Sequence, residues 1–117
     1  MTEQTDHELI ELAAKAYGEI PIPLVWIRPF DNELTPINNR GEPWNPLNDD
    51  GDALRLAVKL RIEPHFVGDS VHAVVLQGSG IGEWETVLAD VPEAGDLLSA
   101  TRRAIVRAAA AIGETMP

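Results

Sequence analysis

The run Trp44-Asn45-Pro46-Leu47-Asn48-Asp49-Asp50-Gly51-Asp52-Ala53-Leu54-Arg55-Leu56 constrains this chain most. Pro43 and Pro46 flank an aromatic ring. Capping residues and acidic charge follow, and then apolar residues at helical spacing. A stiff loop must end here and a helix must begin. Asn48 or Asp49 suits the N-cap, because a side-chain oxygen there accepts a free backbone N–H. Asp49, Asp50 and Asp52 then stand where the positive end of the helix favours carboxylates. Leu54, Ala57 and Val58 are read as one face, with Leu56 and Leu60 beside it. The helix is expected to end near Leu60.

The remaining elements follow from the same rules. Thr5 and Glu8 form a Thr-x-x-Glu capping box. Leu9, Leu12, Ala13, Ala16 and Tyr17 recur at helical spacing behind it, so the first helix is placed at 6–17 with Gly18 closing it. Residues 1–4 are expected to fray. Leu24 to Arg28 reads as a strand that Pro29 ends, and 31–48 as a long ordered loop with a short strand near Leu34 to Ile37. Arg61 to Val67 reads as a strand interrupted by Pro64, and Gly68-Asp69-Ser70 as a turn. Val71 to Leu76 and Glu83 to Leu88 alternate as strands, the second with Trp84, Thr86 and Leu88 on one face, and Gln77 to Gly82 forms the hairpin loop between them. The last helix starts at Pro92, or later because of Gly95, and Gly113 closes it. Leu97, Leu98, Thr101, Ala104, Ile105, Ala108, Ala109 and Ile112 form its inner stripe. Arg102, Arg103 and Arg107 lie opposite and are read as solvated.

This order predicts an α+β fold: a single domain over 1–117 with a mainly antiparallel sheet of about four strands packed with three helices. At 117 residues the length fits one domain. Cysteine is absent, which removes disulfides, thiolate metal sites and a cysteine nucleophile. The start of the chain is polar and acidic, unlike a signal peptide. No apolar run approaches the roughly 18 residues of a membrane span. These features place the chain in the cytoplasm with no membrane partner. The net charge of −10 argues against nucleic acid, since a phosphate backbone repels such a surface, and favours a basic protein surface as partner.

Each chemical motif competes with a plainer reading. Asp49, Asp50 and Asp52 could hold a divalent cation, yet the calcium-loop spacing of a glycine at position six and a glutamate at twelve is missing. A helix cap explains them with less. Trp44-Asn45-Pro46 reads either as a recognition loop or, preferably, as a plug that pins the loop to the core. His65 and His72 fall on neighbouring strands that a hairpin would bring together, but no third ligand stands at diagnostic spacing. His7 lies in a first helical turn. Ser70, Ser79 and Ser99 lack a nucleophile context, and Gly78-Ser79-Gly80-Ile81-Gly82 reads as a hairpin turn. Glu83 and Glu85 alternate along one strand and share a solvent face. No catalytic residue, cofactor or metal is assigned. Trp44, Asn45, Asp49, Asp50, Asp52, Glu83 and Glu85 remain as the candidate partner or ligand surface.

Trp44 to Leu60, WNPLNDDGDALRLAVKL, resembles a segment recurring in small proteins of tailed phages and prophages. Ala100 to Glu114 and, more loosely, Glu8 to Gly18 do the same. The family resembled is the phage ABA sandwich domain family. The likeness spans the three helical segments and is poor between Glu19 and Glu42 and through the strands. It implies a three-layer α/β/α sandwich and action inside a bacterial host, and it carries no catalytic residues. Three functions follow as expectations. The first is a non-enzymatic phage accessory protein that binds a host or phage protein through an acidic surface, in one form an inhibitor of host defence. The second is a small ligand-binding or enzymatic domain using the Trp44 loop and the acidic helix start. The third is a self-associating structural protein, marked by exposed apolar helix surface or a free strand edge.

Overall fold

The computed structural model describes residues 5–18, 25–27, 35–38, 40–79, 82–92 and 96–116, and of 35, 76–79 and 82–88 the backbone alone. The expected frayed start at 1–4, both ends of the expected strand 24–28, residues 31–34 and 39 of the expected loop 31–48, and the hairpin tip at 80–81 lie outside the described residues.

The order is α1 (Asp6–Tyr17), β1 (Val25–Ile27), β2 (Thr35–Ile37), α2 (Asp50–Leu60), β3 (Ile62–Val67), β4 (Ser70–Ser79), β5 (Gly82–Pro92) and α3 (Leu97–Glu114). The fold is α+β, with three helices and two antiparallel sheets among the described residues. α1 begins where the capping residue demands: the Thr5 hydroxyl accepts from the Glu8 N–H, and Gly18 closes the helix at φ 77. The single sheet expected from the sequence is divided in two. β1 and β2 pair with each other, and β3, β4 and β5 form a separate sheet in that order. Pro36 sits at the centre of three-residue β2, has no N–H to give, and spends its carbonyl on the Trp44 N–H. β2 is therefore tied to the loop at Trp44.

In the larger sheet β3 is an edge strand, and this reconciles it with Pro64. The proline pairs opposite Ala73 without ending the strand, as an edge allows. Gly68, at φ 59, makes the two-residue turn into β4. The helices pack on the face that carries Ile62, Val71, Ala73, Ala89 and Val91, all buried in one cluster with Leu9, Ala13, Leu56, Ala104 and Ile105. The other face carries His65 and His72, half-buried, and the exposed Glu63 and Asp90.

Of the two starts open for the last helix the later one holds: Pro92 ends β5, opposite Ser70, and α3 begins at Leu97, with the N-cap Asp96 accepting from the Ser99 N–H. Two other local expectations are corrected by tertiary packing. Gly113 lies inside α3, and the helix closes at Thr115. In α2 the buried residues are Asp52, Ala53, Leu56 and Ala57, whereas Leu54 and Val58 are 64% and 65% exposed. The apolar residues at 54, 56, 58 and 60 suit either face of the helix, and packing against α3 chose the face with Leu56.

Candidate functional site

The loop before α2 is held by its own side chains. The Asn45 side-chain oxygen accepts the Leu47 N–H at 3.0 Å, a turn that asparagine favours. The Asn45 carbonyl takes the N–H groups of Asn48 and Asp49 at 3.1 and 2.9 Å. Asp49 is the N-cap, its carboxylate accepting from the Asp52 N–H at 2.8 Å. Asp52, only 8% exposed, turns back: one oxygen accepts the Asn45 N–H at 2.9 Å and the other the Arg55 guanidinium at 2.7 Å. Loop and helix are thereby fastened together. The Arg55 guanidinium is pushed above its ordinary range, first by its hydrogen bond to Asp52, which outweighs the opposing desolvation, and then to a smaller extent by the charges of Asp52 and Asp49. A raised pKa gives stability that is lost only as pH climbs through the folded value. Arginine's range lies far above neutrality, so this bond persists across physiological pH.

Trp44 is 3% exposed and stacks on Tyr17, ring centroids 5.7 Å apart. It fills the core edge and leaves almost no surface for a partner. Asp50 is exposed but engaged: Arg102 reaches from α3 to its carboxylate at 2.6 Å and to the Leu47 carbonyl at 2.8 Å. Arg102 is therefore a clamp between α3 and the loop, its side chain 17% exposed, and not the solvated residue expected from the stripe. Arg103 likewise grips Asp6 of α1 with two N–H groups, at 3.1 and 3.4 Å. Helix periodicity identifies the outer side of α3 but not which carboxylates lie beside it.

The five candidate residues at the loop are thus brought together, chiefly for internal bonding. Glu83 and Glu85 are far from them in the topology, on β5 opposite Gly78 and Leu76, and their side chains lie outside the described residues, as do those of Trp84, Thr86 and Leu88. His65 and His72 stand directly opposite each other in the sheet, as the hairpin reading anticipates. Each has its own carboxylate: Glu63 is 3.2 Å from His65 Nε2, and Asp90 is 3.5 Å from His72 Nε2. His7 is exposed and stacks on Trp26 at 3.8 Å, while the Trp26 indole donates to Glu11 at 3.2 Å. Among the described residues no three His, Asp or Glu side chains are grouped to hold one ion, and no buried side-chain nitrogen or oxygen lacks a partner. No described helix is long and apolar enough to cross a membrane. No family model, curated protein or solved structure matches the chain.

The Asp52 fastening is testable. Asp52→Ala leaves the Asn45 N–H without its acceptor and releases Arg55, and is expected to cost about 2–3 kcal/mol. Asp52→Asn keeps one acceptor oxygen and is expected to cost about half of that. Urea unfolding of both variants measures it, and a loss below about 0.5 kcal/mol for the alanine would reduce the arrangement to an ordinary surface contact.

Proposed function

We propose that the chain is a non-enzymatic accessory protein of a phage or prophage that acts in the bacterial cytoplasm by binding a host or phage protein through an acidic surface. One form of this function is the blocking of a basic groove that normally holds nucleic acid in a host defence complex. The phage setting rests on the resemblance of the three helical segments. The binding mode rests on one observation. β3 pairs with β4 only as far as Ile62 and Val75, whereas β4 and β5 continue together from Leu76 and Glu85 to Ser79 and Gly82. Among the described residues, the hairpin beyond Val75 is an arm of two strands. Such arms are marginally stable alone, and they offer backbone edges to a partner strand. Glu83 and Glu85 fall on this arm, in a chain of net charge −10. The Trp44 loop, in contrast, has its ring buried and its polar groups bonded within the chain.

The function is tested by capturing a partner from infected cells with the intact protein, then measuring association rates with the purified pair. Added salt should slow association more than it speeds dissociation, because exposed charges are screened beyond about 8 Å at physiological ionic strength. Glu83→Lys with Glu85→Lys should slow it similarly at low salt while leaving the thermal melt in place. A partner bound equally fast at low and high salt, and equally by the double variant, would sink the proposal.

A further inference from the structure

One row of the larger sheet carries more chemistry than folding requires. His65 and His72 stand directly opposite each other on β3 and β4, and Asp90 of β5 stands opposite His72. Glu63 comes two residues before His65 and so shares its face. The helices pack on the other face. On this one the Glu63 and Asp90 side chains are 55% and 60% exposed, and the imidazoles of His65 and His72 34% and 27%. β3, β4 and β5 contain no lysine or arginine, so no cation of these strands neutralises the two carboxylates.

Two imidazoles on facing strands are a chelating pair. Directly opposite residues have their β-carbons about 4.5–5.5 Å apart. Zinc takes imidazole nitrogen at about 2.0–2.1 Å, so two rings across such a gap reach one ion between them. The carboxylates stand at the other nitrogens. Glu63 lies 3.2 Å from His65 Nε2, and Asp90 lies 3.5 Å from His72 Nε2. A carboxylate at Nε2 favours the proton there and makes Nδ1 the basic nitrogen of the ring. It is also the usual outer partner of a metal-bound histidine. The carboxylates therefore back the rings without joining the ion. This agrees with the absence, among the described residues, of three such side chains grouped around one point.

We propose that His65 and His72 bind a divalent ion of the zinc class through Nδ1, with Glu63 and Asp90 as outer carboxylates and water in the open positions. Two nitrogen ligands select such an ion over magnesium and calcium, which prefer oxygen. The bound ion fastens the edge strand β3 to β4 within their ladder. The inference is independent of the acidic-arm function.

Calorimetric titration of zinc chloride into the full chain, up to about 1 mM, tests it down to weak affinity. One ion should bind per chain. The thermal midpoint should rise with zinc, because an ion held only by the folded state stabilises that state. Magnesium and calcium should do neither. His65→Asn and His72→Asn should each lose the binding, and Glu63→Gln with Asp90→Asn should weaken it at least about tenfold. His7→Gln, a change at the remaining histidine, should leave it intact. Circular dichroism establishes that each variant is folded. If a histidine variant does not fold, ring NMR signals of the unaltered chain decide: those of His65 and His72 should move with zinc, and that of His7 should stay. No binding up to about 1 mM zinc, binding kept by both His65→Asn and His72→Asn, or an equal loss in His7→Gln would overturn the proposal.

Discussion

Gly113→Ala is expected to destabilise the fold by about 3 kcal/mol, the upper part of the range for overpacking. Local reasoning gives the opposite sign, because alanine in a helix interior is worth up to about 1 kcal/mol over glycine. Sterics decide. A β-carbon on Gly113 would run into the Leu12 carbonyl oxygen of α1, with the carbonyl carbon 2.9 Å away. That obstacle is backbone, so relief requires α1 and α3 to separate. Their contact is lined by small residues, among them Ala13, Ala109 and Ala110, all at most 1% exposed, and a shift there opens gaps along both helices. Gly51→Ala is the control. Its β-carbon would meet the Arg55 guanidinium and the Asp49 carboxylate at 3.2 Å, and although both are hydrogen-bonded they are side-chain ends that need give only a few tenths of an ångström, so its cost should stay below about 1 kcal/mol. Thermal melts compare the two, and a neutral or stabilising Gly113→Ala would mean that α1 and α3 do not approach so closely.

Gly113 also marks a limit of what the sequence conveys. A glycine after a long apolar stripe reads as a helix stop, since stop signals are local. Its actual reason is the carbonyl of Leu12, at the other end of the chain. The starts of α1 and α2 were legible because a cap is a local bargain between one side chain and a backbone N–H three residues on, as at Thr5 and Asp49. The turn after β3 was legible from the Gly68-Asp69-Ser70 cluster, and with it the nearness of His65 and His72, although the turn takes only Gly68 and Asp69 and Ser70 already pairs with Val67. The inward face of α2 was not legible. Leucines at 54, 56 and 60 with Val58 fit two faces, and α3, Asp52 and Arg102 together choose between them. The strand ends misled for a related reason: glycines at 78 and 82 suggested a wide loop, whereas the ladder runs on to Ser79 and Gly82 because each strand supplies the other's backbone partners. Of the candidate surface, the sequence located the cap and the loop correctly. The preferred reading of Trp44 as a plug at the core edge also holds, the ring being 3% exposed, but the inward turn of Asp52 was not legible.

Ile105→Asp should have the largest effect of any single change. Ile105 is 5% exposed and belongs to the cluster that joins α3 to the larger sheet. Truncation there already costs about 2–4 kcal/mol in lost contacts and cavity. The carboxylate adds the penalty of a buried, unpaired charge, for a total of about 4–5 kcal/mol. Domains of this size hold about 5–15 kcal/mol, so a substantial unfolded population is expected near physiological temperature. Ile105→Ala separates the two contributions, because it removes the packing without adding charge. Arg103→Glu, which the helical stripe alone would make silent, serves as the graded comparison. It replaces the grip on Asp6 with repulsion at the start of α1, yet Asp6 is 62% exposed and solvent screens the pair. Its cost should be near 1 kcal/mol. Urea unfolding midpoints should therefore fall in the order Arg103→Glu, Ile105→Ala, Ile105→Asp from least to most affected. A midpoint for Ile105→Asp no lower than that of Arg103→Glu would place the core on another face of α3.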